Sequence, residues 1–170
     1  MNKSKTESEK AVDAESQPQE FLSFVLGNEH YALDIMSVKE IRGYEPVTKI
    51  AKAPAFIKGV LNLRGDVVPI IDLRIKFDIG EPVYNEFTIV IMLNVLNRIV
   101  GIVVDAVSDV VTLQGDEILP PPEFGVAFDS NYLKGLATID EKMLILVDIE
   151  ALIGSEELGL ITNTDAIAQG

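Results

Sequence analysis

The residues able to do chemistry are plentiful in one class and nearly missing in the others. The 170-residue chain carries 27 Asp and Glu against 14 Lys and Arg, one histidine and no cysteine. Without cysteine there is no thiol nucleophile, no disulfide and no zinc–thiolate site. The histidine, His30, ends "GNEH" (27–30), which reads as a solvated hairpin turn and not as a base or ligand. The carboxylates fall in turns, tails and strand ends. None shows the His-x-x-x-His, Asp-x-Asp-x-Asp-Gly or Glu-x-x-His spacing that gathers donors around a metal. Gly-x-Gly-x-x-Gly, a P-loop and Gly-x-Ser-x-Gly are absent as well, so no phosphate cradle or serine elbow is offered. The expectation is a protein that is not an enzyme and uses no metal or cofactor.

One cation stands out. In "KGVLNLRGDVVPIIDL" (58–73), Arg64 interrupts two apolar runs. As part of Arg-Gly-Asp it could be an adhesion tripeptide, but that needs export and nothing here supports it. As a hairpin tip, Gly65 supplies the positive φ of a tight turn while Arg64 and Asp66 stay wet. As an interface residue, Arg64 offers an apolar stem and a forked donor for carboxylates, and Glu40 or Asp66 could be its internal partner.

Composition limits the partners. A net charge of −13 and no basic stripe disfavour nucleic acid and anionic lipid. The mean hydropathy is +0.26, yet no run approaches the ~18–20 apolar residues of a spanning helix. The N-terminal twenty residues lack the apolar segment of a secretory signal. A cytoplasmic location without direct membrane insertion is expected.

The elements that position these residues are short strands. Residues 1–19 are polar and read as a flexible tail. "FLSFVLGNEHYALDI" (21–35) reads as a hairpin, and "IVIMLNVLNRIVGIVVD" (89–105) repeats it with a turn over Asn94–Asn97. Helical turns are expected at Arg74–Phe77 and around Asp148–Ile153, and residues 159–170 as a fraying tail. An internal repeat organises the rest. "KGVLNLRGDVVPIIDLRIKF" (58–77) lies without a gap on "KGLATIDEKMLILVDIEALI" (134–153), and "YALDIMSVKEIR" (31–42) lies on "VGIVVDAVSDVV" (100–111). The two offsets differ by about seven residues, which "LPPPEFG" (119–125) could supply. Each half then holds about five strands, enough for a small barrel, and two barrels packed together bury apolar surface that neither covers alone. Pro69 cannot donate to a ladder, so its strand should be an edge or be bulged there. Val38, Ile89 and Val110 read on composition as core strand residues, and Gly59 and Gly101 as bulge or close-packing glycines.

At "VKEIRGYEPVTKIAKAPAFIKGVLNLRGDVVPIIDLRIKF" (38–77), continuing through "IVGIVVDAVSDVVTL" (99–113), the chain resembles the CheW family of bacterial chemotaxis coupling proteins over residues 20–158. The resemblance implies an all-β domain of two intertwined five-stranded SH3-like β-barrel subdomains related by duplication, with short helical turns. The halves would be about 21–77 and 87–153. It implies a non-catalytic adaptor that joins the cytoplasmic tip of methyl-accepting chemoreceptors to the CheW-like regulatory domain of the histidine kinase CheA. Such an adaptor is recruited to membrane receptor arrays through those partners. Carried over by motif, Val38, Glu40, Gly59, Arg64 and Val110 would face the receptor, and Ile89 and Gly101 the kinase. A free-standing β-barrel ligand-binding module is the alternative, and a hydrolase without a recognisable motif a third reading.

Overall fold

The computed structural model describes residues 17–79, 82–121 and 132–153. Residues 1–16, 154–170 and 122–131, which hold most of the two expected tails and of the insertion, lie outside the described part. The Val-, Ile- and Leu-rich runs form ten strands: β1 (Gln19–Leu26), β2 (Glu29–Asp34), β3 (Val38–Gly43), β4 (Ile57–Leu63), β5 (Asp66–Asp72), β6 (Ile89–Val95), β7 (Arg98–Val104), β8 (Ala106–Leu113), β9 (Leu133–Ile139) and β10 (Lys142–Val147). One short helix, α1 (Leu73–Lys76), follows β5, and residues 149–153 turn helically after β10. In both places an aspartate begins the turn. Asp72 accepts from the Arg74 N–H at 2.9 Å, and Asp148 from the Glu150 N–H at 3.1 Å, as N-caps do.

The strands make two five-stranded sheets, ordered β8-β1-β2-β10-β9 and β3-β6-β7-β5-β4. Replacing each strand by its counterpart in the repeat (β1 by β6, β2 by β7, β3 by β8, β4 by β9, β5 by β10) turns one order into the other. The halves are thus duplicated and interleaved. Each sheet takes one hairpin from one half and three strands from the other. The register agrees: Ala32 pairs with Leu146 in the parallel contact of the first sheet, and Gly101 with Ile70 in that of the second. Even the isolated bridges correspond, Thr48 to Val60 and Leu119 to Leu136. Each carries the chain from beyond one outer strand of its sheet onto the other.

Three apolar clusters follow from this arrangement. One lies within the first sheet, around Phe21, Leu113, Leu144 and Leu146. A second lies within the other, around Leu61, Ile70, Val90 and Met92. The largest is shared, drawing Leu22, Phe24 and Leu33 from one sheet and Ile91, Ile102 and Val104 from the other. Across it runs a series of stacked rings, Phe24–Tyr31–Phe77–Tyr132, with centroids 6.0, 6.0 and 5.0 Å apart. Burial of this shared surface is the main force holding the sheets together.

Three details depart from the sequence expectation. The β1–β2 turn is only Gly27–Asn28, so His30 is a strand residue on β2, facing Val25 and Leu144. The β6–β7 turn is confined to Leu96–Asn97. Pro69 lies in a strand with neighbours on both sides, but parallel pairing to β7 begins only at Ile70. At Pro69 itself the ladder runs to β4 alone, opposite Val60, whose N–H and C=O both bond to Thr48, so no β4 carbonyl waits for the missing N–H.

Candidate functional site

Arg64 and Gly65 are the two central residues of the β4–β5 hairpin, with φ of 54° and 89°, the primed geometry that suits strand twist. The turn is secured by Asn62, whose Oδ1 accepts from the Gly65 N–H at 3.1 Å. Arg64 is exposed and, among the described residues, forms no ion pair. Its expected internal partners lie close but are not bonded to it. Glu40 turns instead to Arg42, 3.3 Å away, and Arg42 also holds Glu45 at 2.6 Å. These hydrogen bonds, first to Glu45 and then to Glu40, hold the Arg42 pKa above its ordinary value.

Arg64, Glu40 and Asp66 nevertheless share one groove of about 460 Å³, with Lys39 and Arg42 on its walls and Leu63, Val68, Met92 and Ile99 beneath. It is a mouth of the second sheet's interior. The duplicate mouth lies in the first sheet, about 250 Å³, lined by Ser108, Asp109, Val111, Ile139, Asp140, Lys142 and Leu144 with Ser23 and His30 beneath. Residue by residue these are the repeat counterparts of the first mouth. The chemistry has diverged: Asp140 stands where Arg64 does, Lys142 where Asp66 does, and Ser23 and His30 where Met92 and Ile99 do. The Arg64 mouth joins an apolar floor to a cation that forms no ion pair among the described residues, the combination that receives an apolar side chain beside a carboxylate, whereas the floor of the second mouth carries Ser23 and His30.

The other expected residues are dispersed. Val38 is half-buried and packs against the shared core. Val110 is 51% exposed on outer strand β8, and its repeat counterpart, Ile41 on outer strand β3, is exposed too. Ile89 is half-buried at the start of β6, beside the shared core. Gly59 and Gly101 are buried and present no side chain to a partner. A Cβ on Gly59 would lie 2.1 Å from the Thr48 carbonyl oxygen, at a φ of +148°. The matching Gly135 lies under Leu119 in the same way, 2.9 Å from its oxygen. The paired Lys-Gly of the repeat is thus the crossing point of each bridge. Gly101 leaves room for Ile70, Val90 and Met92, whose atoms would be 2.6, 2.9 and 3.1 Å from a Cβ.

Sequence reasoning missed a buried ionic network. Arg74, 2% exposed, grips the fully buried Asp72 through Nε and Nη2 at 3.1 and 3.0 Å. Its Nη1 reaches Asp105 at 3.0 Å and the Val83 carbonyl at 2.9 Å, and the Tyr84 hydroxyl donates to Asp72. Burial lowers the Arg74 pKa, but bonds to the two aspartates more than reverse this, so it stays charged. The network braces the segment before β6, which exposes Val83 and Phe87. A signal was present: Asp72 matches Asp148 in the repeat, but two residues on Arg74 faces Glu150.

Among the described residues no helix is long and apolar enough to cross a membrane. A family model described as the CheW-like domain matches residues 20–157. The chain is 58% identical over 149 residues to the chemotaxis protein CheW of Klebsiella aerogenes, spanning 88% of this chain and 90% of that one. It is 37% identical over 141 residues to the CheW of Rhizobium meliloti, spanning 82% and 90%. The crystal structure of the scaffolding protein TtCheW from Thermoanaerobacter tengcongensis superposes with a TM-score of 0.75 at 34% identity, covering 83% of this chain and 96% of that one.

Proposed function

Since this chain belongs to the CheW-like family and is a chemotaxis adaptor, we propose that it couples methyl-accepting chemoreceptors to the CheW-like regulatory domain of the histidine kinase CheA, and helps assemble both into arrays. The observation that carries this is the match of the family model over residues 20–157, the span of the interleaved double sheet. The functional unit is residues 20–158. The role is non-catalytic and cytoplasmic, at arrays reached through the partners.

The Arg64 groove is the receptor-facing surface, with Glu40 on its wall. Val38 supports the strand that carries Glu40, and Gly59 sets the backbone crossing at the base of β4. Val110 adds an exposed apolar contact on the other sheet. Ile89 faces the kinase, and Gly101 sets the packing of the strands behind it. A helical hairpin tip can lay an apolar face into such a groove, and similar barrels can join by heterologous contacts that close into rings. The signal passes as a change in packing between partners, not as chemistry on this chain. A free-standing ligand module is less favoured, because the family match and the scaffolding relative both point to protein contacts.

A pull-down against purified CheA-type kinase and a receptor signalling fragment tests the proposal. Retention of both is expected. If neither is retained at roughly tens of micromolar, the coupling reading fails.

A further inference from the structure

We infer that the mouth of the first sheet, floored by Ser23 and His30, binds a small zwitterion: an ammonium and a carboxylate on one short apolar frame, as in a free aliphatic amino acid.

The site begins at an irregularity in the ladder. On β8, Val110 pairs with Leu22 and Val107 with Phe24, so Ser108 and Asp109 together stand opposite the single residue Ser23. Such a bulge re-aims side chains and disrupts the ladder locally. Strand β2 sets His30 nearby, between Val25 of β1 and Leu144 of β10. The β9–β10 hairpin supplies the far wall. Its turn residues Asp140 and Glu141 have φ of 51° and 68°, and Asp140 and Lys142 both line the opening. Val111, Ile139 and Leu144 give the mouth, of about 250 Å³, its apolar surface.

The polar side chains here are unspent. Ser23 is only 5% exposed, yet its hydroxyl has no hydrogen-bond partner among the described residues and lines the mouth. A buried hydroxyl left unpaired costs stability, so folding alone gives no reason for it. Among the described residues Asp109, Asp140 and Lys142 form no ion pair. The side chains of His30 and Ser108 are without a hydrogen-bond partner there too.

The duplicate shows how the same fold closes when nothing is to be bound at the floor. In the second sheet the place of Ser23 belongs to Met92, 1% exposed, and that of His30 to Ile99. Glu40, in the place of Asp109, is taken by Arg42 at 3.3 Å. One copy fills its floor with a long apolar side chain. The other leaves room above a hydroxyl and keeps its charges free.

Complementarity identifies the ligand class. Asp109 and Asp140 disfavour a plain anion, and Lys142 disfavours a plain cation. A zwitterion answers both, with its ammonium toward the two carboxylates and its carboxylate toward Lys142 and the Ser23 hydroxyl. His30 can donate or accept at the same floor, and an aliphatic side chain would lie on Val111, Ile139 and Leu144. A volume of about 250 Å³ is room for roughly eight waters at ~30 Å³ each. It lies below the ~300–1,000 Å³ of pockets for larger ligands, so a molecule the size of leucine fits and a peptide or nucleotide does not. Because Asp109, Asp140 and Lys142 are exposed, their ion pairs are weak, and affinity should fall in about the millimolar range.

The test titrates the full chain with L-leucine and follows its amide NMR spectrum. Isoamylamine, the same frame without the carboxylate, and isocaproate, the frame without the ammonium, are the controls. Leucine should give saturable shifts at Ser23, His30, Ser108 and Lys142 and none at the Arg64 turn, with each control about tenfold weaker or more. Ser23→Val removes the hydroxyl at similar size. It should melt at the same or a higher temperature and bind leucine about tenfold more weakly. Lys142→Gln, at an exposed position, should leave the melting temperature unchanged and reduce leucine to the affinity of isoamylamine. Absence of saturable shifts up to roughly 50 mM leucine, isoamylamine binding as tightly as leucine, or an unchanged leucine affinity in either variant would overturn the inference.

Discussion

Arg74 and Asp105 lie 3.0 Å apart where the two sheets meet, and Asp105 spends its second oxygen on the Gly27 N–H of the opposite sheet. The pair is a directional tie in an interface otherwise held by apolar contact. Truncating the two residues should have unequal effects. Arg74→Ala leaves Asp72 buried without its cation and should cost about 3–5 kcal/mol. Asp105→Ala removes one acceptor of Arg74 Nη1 and the acceptor of Gly27, but leaves Arg74 gripped by Asp72 and by the Val83 carbonyl, costing about 1–3 kcal/mol. Urea denaturation of the two variants measures the difference. Equal losses would show that Asp105 matters as much as the buried Asp72.

Arg64→Ala should weaken receptor-dependent kinase activation while leaving the melting curve nearly unchanged, because Arg64 is exposed and without an ion pair among the described residues. Arg64→Gly sharpens the test. Its backbone, at φ 54°, is one that glycine adopts freely, so stability should rise by about 1 kcal/mol while coupling is still lost. A large drop in melting temperature in either variant would make Arg64 a structural turn residue.

The fold was legible in the sequence where local pattern decides it. Val- and Ile-rich runs punctuated by Gly and Asn gave the hairpins, and the matched Lys-Gly and Asp positions of 58–77 and 134–153 revealed the duplication. The turn at Gly65 was readable for the same reason, since a positive φ leaves a mark in residue type. Long-range geometry was harder to read. Nothing local shows that Glu40 pairs with Arg42 and not Arg64, or that Arg74 finds Asp105 thirty-one residues away. Composition alone read Val110 as core although it is exposed, because alternation places a strand valine on one face or the other without saying which face meets water. The mismatch of Arg74 with Glu150 was visible, and gained meaning only once the two parallel strand pairs were seen to share a register.

Gly101→Val should destabilise the protein by about 1–3 kcal/mol through overpacking, since the new atoms enter the space held by Ile70, Val90 and Met92. Gly59→Ala meets backbone instead of flexible side chains, at a φ of +148°, and should break the Thr48–Val60 bridge as well. Hydrogen exchange at the Thr48 and Val60 amides, which bond reciprocally at 2.9 Å, would report that opening. If either variant loses partner binding with an unchanged denaturation midpoint, the glycine acts at the surface and not through packing.

Alkaline pH should weaken the fold through its tyrosines. Burial, reinforced by the hydrogen bond to Asp72 and that residue's charge, raises the Tyr84 pKa well above the ordinary value of 10.0. Burial likewise raises Tyr31 and Tyr44. A group that keeps its proton longer when folded than when unfolded stabilises the native state fully below its unfolded pKa. As pH climbs past about 10 the unfolded chain releases protons that the native chain still holds, so stability falls with pH. Tyr84→Phe removes one of these groups. At neutral pH it should cost about 1 kcal/mol for the lost hydroxyl bond, because Arg74 continues to satisfy Asp72. Above pH ~10 its decline should be shallower than that of wild type, so the two curves converge. Urea midpoints measured across that range decide the matter. Parallel curves would mean that the Tyr84 hydroxyl titrates alike in the folded and unfolded chains, and that its bond to Asp72 does not hold the proton.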